Sequence, residues 1–227
     1  MTTTHRPTTP TIDPTGTDDP VRRLLPTLGG VATLAGTALF LIGAAIAPTM
    51  GDGPAAIAES MARHPTAGVS ALVLHYGNLV LAAGMLALPL LVRGRRGAVT
   101  AVVGALLAAL SFGNTSGMLS TDFWQIGLGG RFSPEEVTGL TDTVLGQAWM
   151  VPWTATAMLL PLALVLLFVG LARAGVVGWW TVPAAVIGSV LPMAVPPSIP
   201  GAFAIGALPA FAAIALAGWR LVGRARV

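Results

Sequence analysis

Six stretches of about twenty residues without Asp, Glu, Lys or Arg dominate this sequence. Each is long enough to cross the hydrocarbon of a bilayer as an α-helix, which rises about 1.5 Å per residue. Because lipid cannot hydrogen-bond to a free backbone, and because a period-2 alternation is absent, α-helix is the form that fits them. The stretches are residues 28–47, 69–92, 98–119, 148–172, 176–195 and 201–219.

The composition excludes an ordinary soluble domain. Hydrophobic residues make up 54% of the chain and charged residues 9%, whereas soluble domains carry about 25% charged residues. We therefore expect an all-α integral membrane protein in which residues 21–227 form a single domain, a six-helix transmembrane bundle. Residues 1–20 are rich in Thr, Pro and Asp and cannot bury enough apolar surface to fold, so they are predicted to be a disordered cytoplasmic tail.

The arginines predict the orientation. If the N-terminus is cytoplasmic, nine arginines near the spans lie on the inner side, and only Arg63 and Arg131 lie on the outer side. This positive-inside bias predicts a multi-pass protein of the plasma membrane with both termini in the cytoplasm. Two groups of tryptophans at the predicted boundaries agree with it: Trp124, Trp149 and Trp153 outside, and Trp179, Trp180 and Trp219 inside.

Another interpretation makes the first span a cleaved signal peptide. Arg22 and Arg23 precede an apolar run that ends in Ala45-Ile46-Ala47, which resembles an A-x-A cleavage site. The run is longer than a usual signal sequence and Pro48 would follow the cut, so we favour a retained span.

The first two outer loops are long enough to hold structure. In the first, Gly53-Pro54 precedes apolar residues at roughly helical spacing. In the second, the sequence from Ser133 to Glu136 is a capping box with Pro134 at its first helical position. A short interfacial helix is predicted in each loop.

Polar residues inside the spans are the best candidates for a functional site, because polar groups in hydrocarbon are expensive. His75 and Asn78 share one face of the second span, and Asn114 lies at a similar depth in the third. Together they predict a cavity in the outer half of the bundle. Its candidate ligand-binding residues are His75, Asn78, Asn114, Gln147 and Trp153, and its weaker catalytic candidates are His75, Asp122 and Glu136.

Three interpretations of this cluster stay open. His75 and Asn78 can act as interhelical glue by bonding to Ser111 or Asn114, they can line a ligand pocket, or His75 can work as an acid or base with an outer carboxylate. Prolines within the spans could free backbone carbonyls that line a cavity, although proline is common in membrane helices. These prolines are Pro89, Pro152, Pro161, Pro183, Pro192 and Pro209.

Other kinds of chemistry find no support in the residues. Without Cys there is no disulfide or thiolate metal site, and no His or carboxylate stands at i+3 or i+4 from His75, so we predict no metal. No phosphate-binding or dinucleotide-binding motif is present, so we predict no cofactor and no nucleic-acid partner. Gly113 and Gly117 form a GxxxG pair through which a homo-oligomer could pack.

In size, span count and style the chain resembles the small, uncharacterised six-span inner-membrane proteins of GC-rich bacteria. That resemblance implies a location and transfers no catalytic residue. The favoured function is binding, within the outer-half cavity, of a lipid or small apolar molecule or of a membrane partner. The alternatives are a membrane-embedded enzyme acting on a lipid or isoprenoid-like substrate with His75 and an outer carboxylate, and a small transporter.

Overall fold

A computed structural model describes residues 20–51, 53–196 and 198–224, except for the side chains of residues 20–23 and 193. The predicted disordered tail therefore lies outside the described residues, apart from Pro20, and so does the acidic Asp52 of the first outer loop.

The described residues form ten α-helices and no strand, which confirms the all-α class. Five apolar segments are long enough to cross a membrane: Leu24–Ala45, Ala67–Leu91, Ala98–Leu128, Ala148–Arg173 and Ala202–Arg224. The helices are α1 Pro20–Ala45, α2 Pro54–Arg63, α3 Ala67–Ala87, α4 Ala98–Met118, α5 Ser120–Leu128, α6 Pro134–Leu145, α7 Val151–Met158, α8 Leu160–Arg173, α9 Thr181–Ala194 and α10 Ala202–Arg224.

Two predicted spans differ from the observed helices. The span predicted at 176–195 yields only the short α9, and its apolar helical stretch is Thr181–Pro192. The chain makes a turn first, in which the backbone N–H and the hydroxyl of Thr181 both bond to the Gly178 carbonyl. The span predicted at 148–172 is interrupted at Leu159, between α7 and α8, next to Pro161. The absence of charged residues shows where a span could lie. Where each helix begins, ends or breaks depends on local turns, which charge does not reveal.

The long helices form a ring in chain order. α1 packs against α3, α3 against α4, α4 against α7 and α8, α8 against α9, α9 against α10, and α10 returns to α1. Leucines and valines cover the outside of this ring and are exposed in the isolated chain, as on Leu72, Leu106 and Leu208. An apolar outer surface of this kind fits lipid rather than water.

Glycines allow the helices of the ring to approach closely. A Cβ at Gly104 of α4 would lie 2.2 Å from the backbone nitrogen of Leu167 in α8, and a Cβ at Gly170 would lie 2.3 Å from that of Ala101. Similarly, a Cβ at Gly84 of α3 would meet the backbone of Thr33 in α1. Small residues bring backbones into contact where no hydrophobic effect drives helix association, as inside a bilayer.

The two ends of the ring differ. At the end that carries the N-terminus of α1 and the C-terminus of α10, called here the terminal end, arginines hold helix ends together. Arg220 donates to the Val176 carbonyl, and Arg224 donates to the Leu90 carbonyl. At the opposite end α2 packs against α5 and α6, and these three short helices form the cap. Whether the cap helices lie at a membrane interface stays a prediction.

Candidate functional site

A cavity of about 300 Å³, the central cavity, lies inside the ring in the half nearer the cap. Every long helix of the ring contributes to its wall, and nearly all of the lining side chains are apolar. Its size falls at the lower end of the range found for small-molecule sites. Representative lining residues, one or more from each part of the ring, are Phe40, Asn78, Phe112, Leu164, Ser189 and Phe211.

A cluster of phenylalanines forms part of the wall. Phe40 stacks on Phe211 with ring centroids 4.3 Å apart, and Phe112 meets the edge of Phe211 at 6.5 Å. Toward the terminal end, side chains such as Met85 and Leu167 are fully buried in a tightly packed core. The described structure therefore closes the central cavity on that side and directs it toward the cap.

Two prolines change the backbone around the central cavity. Pro161 has no N–H to donate to the carbonyl of Ala157, and Pro192 likewise leaves the carbonyl of Gly188 without its usual helical donor. All four residues line the cavity. Both prolines therefore interrupt the regular helical backbone bonding in the cavity wall.

Asn78 places an unsatisfied acceptor in the same wall. Its side chain is 1% exposed, and its Nδ2 donates to the Leu74 carbonyl at 2.8 Å. Reversing the amide would set Oδ1 against that carbonyl oxygen, so the nitrogen belongs there. Oδ1 is then left buried with no partner among the described residues. Buried polar atoms in native proteins usually have partners, so an orphan in a cavity wall is a candidate contact for a ligand.

A second cavity of about 290 Å³, the outer cavity, adjoins the first on the cap side. The two share four lining residues, Leu74, Leu119, Pro192 and Phe203. Among the described lining residues of the outer cavity, Asp122 of α5 is the one charged or polar side chain. Its carboxylate is half-buried and has neither an ion pair nor a side-chain hydrogen bond within the described part of the chain.

His75 forms a tie between α3 and α4 instead of lining either cavity. Its Nδ1 lies 2.9 Å from Ser116 Oγ and 3.1 Å from the Ser116 carbonyl, and Ser116 Oγ donates to the His75 carbonyl at 3.0 Å. With the proton on Nδ1, His75 donates to Ser116, and with the proton on Nε2 it accepts from the Ser116 hydroxyl, so either tautomer joins the two helices. The glue interpretation predicted Ser111 or Asn114 as partner. The observed partner is Ser116, since Ser111 donates to the Thr156 carbonyl of α7.

A contact outside both cavities joins Trp153 of α7 to Asn114 and Gly117 of α4. Trp153 Nε1 donates to the backbone carbonyl of Asn114 at 3.1 Å, and the Trp153 ring covers Gly117. Neither Asn114 nor Trp153 lines the two cavities. The ring occupies one half of the predicted GxxxG surface within the chain, whereas the space around Gly113 is open. A homo-oligomer through these glycines stays a prediction.

The remaining candidates hold local structure in the cap region. Glu136 Oε2 accepts from the Ser133 backbone at 2.8 Å, and Glu136 N donates to Ser133 Oγ, so the predicted capping box is present. Gln147 Nε2 donates to the Thr143 carbonyl. Of the predicted ligand-binding and catalytic residues, the structure therefore brings Asn78 and Asp122 to the cavities and places the others elsewhere.

The sequence analysis did not identify the aromatic part of the wall. Phe40, Phe112, Phe203 and Phe211 lie on three different helices, and each looks like an ordinary apolar residue of a span. Two of the six prolines that the sequence offered as possible cavity residues, Pro161 and Pro192, do line the central cavity.

Comparison with protein families, with curated proteins and with solved structures finds no match to this chain. Arguments about function therefore depend on the residues and their geometry alone.

Proposed function

We propose that this protein is a six-span protein of the plasma membrane that binds a small, mostly apolar molecule in the central cavity. The single observation that carries the proposal is a cavity of about 300 Å³ to which every long helix of the ring contributes. Pockets of this size with mainly apolar walls and a few polar groups are the usual form of small-molecule sites. The orphan Oδ1 of Asn78 supplies such a polar group.

The topology belongs to the same proposal. α9 serves as the sixth span despite its length, because it is apolar and closes the ring between α8 and α10. The terminal end, rich in arginine, faces the cytoplasm, and the cap faces outward. Ligand then reaches the central cavity from the outer side, through the outer cavity.

An acid–base function for His75 gains no support from this geometry. His75 is tied to Ser116 and lines neither cavity, whereas Asp122 lines the outer one. We therefore favour binding over catalysis, and the same arrangement gives no particular support to transport.

Cavity filling tests the proposal. Ala157 lines the central cavity, and Ala155, two residues earlier on α7, is exposed. We expect native mass spectrometry of the wild type, purified in mild detergent, to show a stoichiometric bound molecule. Ala157→Phe should lose it because the ring occupies the space, and Ala155→Phe should retain it.

A second filling variant guards against a folding defect. Ala207 of α10 lines the cavity from the other side, so Ala207→Leu should also lose the molecule while its melting temperature stays close to that of the wild type. The proposal is wrong if all preparations carry only bulk phospholipid, or if both filled variants fold and keep the molecule.

A further inference from the structure

Asn78 and Asp122 offer the two cavities polar groups of one kind, whereas the Thr115 hydroxyl in the central wall can donate as well as accept. Asn78 presents an unpartnered oxygen to the central cavity, and Asp122 presents a carboxylate to the outer one. Pro161 and Pro192 remove two backbone donors from the central wall, and the hydroxyl of Ser189 already donates to the Ala185 carbonyl. A ligand that satisfies Asn78 Oδ1 and the Asp122 carboxylate must supply hydrogen-bond donors.

The charge of Asp122 further restricts the kind of ligand that the outer cavity can bind. It lies within the apolar stretch Ala98–Leu128, among lining residues that are otherwise apolar. An ionised carboxylate in such apolar surroundings is costly without a partner, so Asp122 is a candidate contact for a ligand. The nearby arginines do not supply the partner: Arg63 of the cap pairs with Glu59 at 2.8 Å, and Arg131 is exposed.

We propose that the two cavities together bind a hydrophobic amine, with the protonated nitrogen beside Asp122 and the apolar body in the central cavity. This inference rests on the proposed function and names the class of ligand. The ammonium pairs with the Asp122 carboxylate through a charge-assisted hydrogen bond. The apolar body contacts the phenylalanine cluster around Phe211. A further N–H or O–H on the body would satisfy Asn78 Oδ1.

Three probes of equal chain length test the charge preference on the wild-type protein: decylamine, decanol and decanoate. Each is titrated into the protein in a neutral detergent, and the bound fraction is read by native mass spectrometry. We expect decylamine to bind most tightly and decanoate least tightly, because decanoate sets like charges together at Asp122. Equal or tighter binding of decanoate overturns the proposal without any variant.

Asp122→Asn removes the charge and keeps the shape. We expect its affinity for decylamine to fall about tenfold or more, and its affinity for decanol to change little. Asp142→Asn is the matched control, since Asp142 is an exposed acid of α6. Unchanged decylamine affinity in a folded Asp122→Asn protein overturns the proposal, as does an equal loss in Asp142→Asn.

Ala157→Phe separates this proposal from the more general one. If that variant weakens all three probes while Asp122→Asn weakens none, binding in the cavity stands and the preference for an amine is wrong. If Ala157→Phe leaves the affinity for every probe unchanged, the proposal of binding in the central cavity is wrong, and so is the proposed preference for an amine.

The amine could belong to a lipid headgroup or to a soluble molecule. To distinguish the two, decylamine binding is measured in nanodiscs of phosphatidylcholine with and without phosphatidylethanolamine. Competition by phosphatidylethanolamine against decylamine supports the proposal with a lipid headgroup as the source, and undiminished decylamine binding supports it with a soluble amine. If phosphatidylcholine competes with decylamine as strongly as phosphatidylethanolamine does, the primary ammonium is not recognised and the proposal is overturned.

Discussion

At the scale of single residues, polar groups in this bundle fall into two classes. His75, Ser111 and Ser116 have found partners on neighbouring helices, whereas Asn78 Oδ1 and the Asp122 carboxylate have none among the described residues. The sequence identified His75, Asn78 and Asp122 as candidates, because polar residues near hydrocarbon are rare. The sequence could not tell which polar residues bond to a neighbouring helix and which line a cavity. That depends on the side chain that lies opposite each residue where two helices cross.

The tie between His75 and Ser116 should contribute measurably to stability. We expect Ser116→Ala to lower stability by about 0.6 to 2 kcal/mol, the usual range for interhelical hydrogen bonds in membranes. Thermal melting in detergent measures it. Ser120, one helical turn later, makes no side-chain hydrogen bond within the described residues, so Ser120→Ala should change the melting temperature little. Equal effects of the two substitutions would contradict the tie.

The orphan oxygen of Asn78 should make the empty protein less stable than it could be. Leaving a buried acceptor unpaired costs about 1 to 3 kcal/mol. Asn78→Leu removes that oxygen at similar volume, so we expect the ligand-free variant to melt higher than the wild type. Asn114→Leu is the control, because Asn114 lies outside the cavities and is not fully buried. A lower melting temperature for Asn78→Leu would indicate that its oxygen is satisfied in the free protein.

At the scale of helices, the sequence placed the long apolar elements but not their ends or breaks. Helix α1 is already helical at Pro20, the first described residue, before the predicted boundary at residue 28, because arginine ends a predicted span without ending a helix. The turn at Gly178 and the interruption at Leu159 depend on local backbone bonds that charge does not reveal. Residues on both sides of the Leu159 interruption line the central cavity, so the form of the cavity was the hardest feature to predict.

Two glycines of α4 provide a matched test of helix packing. A methyl group at Gly104 would collide with the backbone of α8, whereas nothing lies within 4 Å of a Cβ at Gly113. We expect Gly104→Ala to lose about 1 to 3 kcal/mol through overpacking, and Gly113→Ala to be neutral or slightly stabilising because alanine favours helix. Melting and size-exclusion profiles measure both effects. A change of oligomeric state in Gly113→Ala would instead support packing between copies through that surface.

At the scale of the whole molecule, the asymmetry between the two ends carries the functional argument. The cap half holds the central cavity, the outer cavity and Asp122, whereas the interior of the terminal half is a tight core edged by arginines. Arginine placement predicted which end faces inward. It did not reveal that the helices form a ring around a space, since neighbours in a ring and neighbours in a solid bundle show the same hydropathy.

The orientation can be tested on the chain as it is, because it contains no cysteine. Gly139 of the cap and Gly94 of the terminal end are both exposed, and neither has an atom within 4 Å of an added Cβ. We expect a membrane-impermeant maleimide to label Gly139→Cys in intact cells and to label Gly94→Cys only after lysis. The reverse pattern would place the cap in the cytoplasm and overturn the proposed topology.

The return of α10 to α1 has a consequence for biogenesis. A chain emerging from the ribosome inserts its helices in sequence, yet the contact between Gly30 and Gly218 joins the first long helix to the last. Until α10 arrives, the nascent protein has an open slot toward lipid where the mature protein has an enclosed space. The site is therefore created in a single late event, and premature termination before residue 202 leaves an apolar surface for quality-control proteases to recognise.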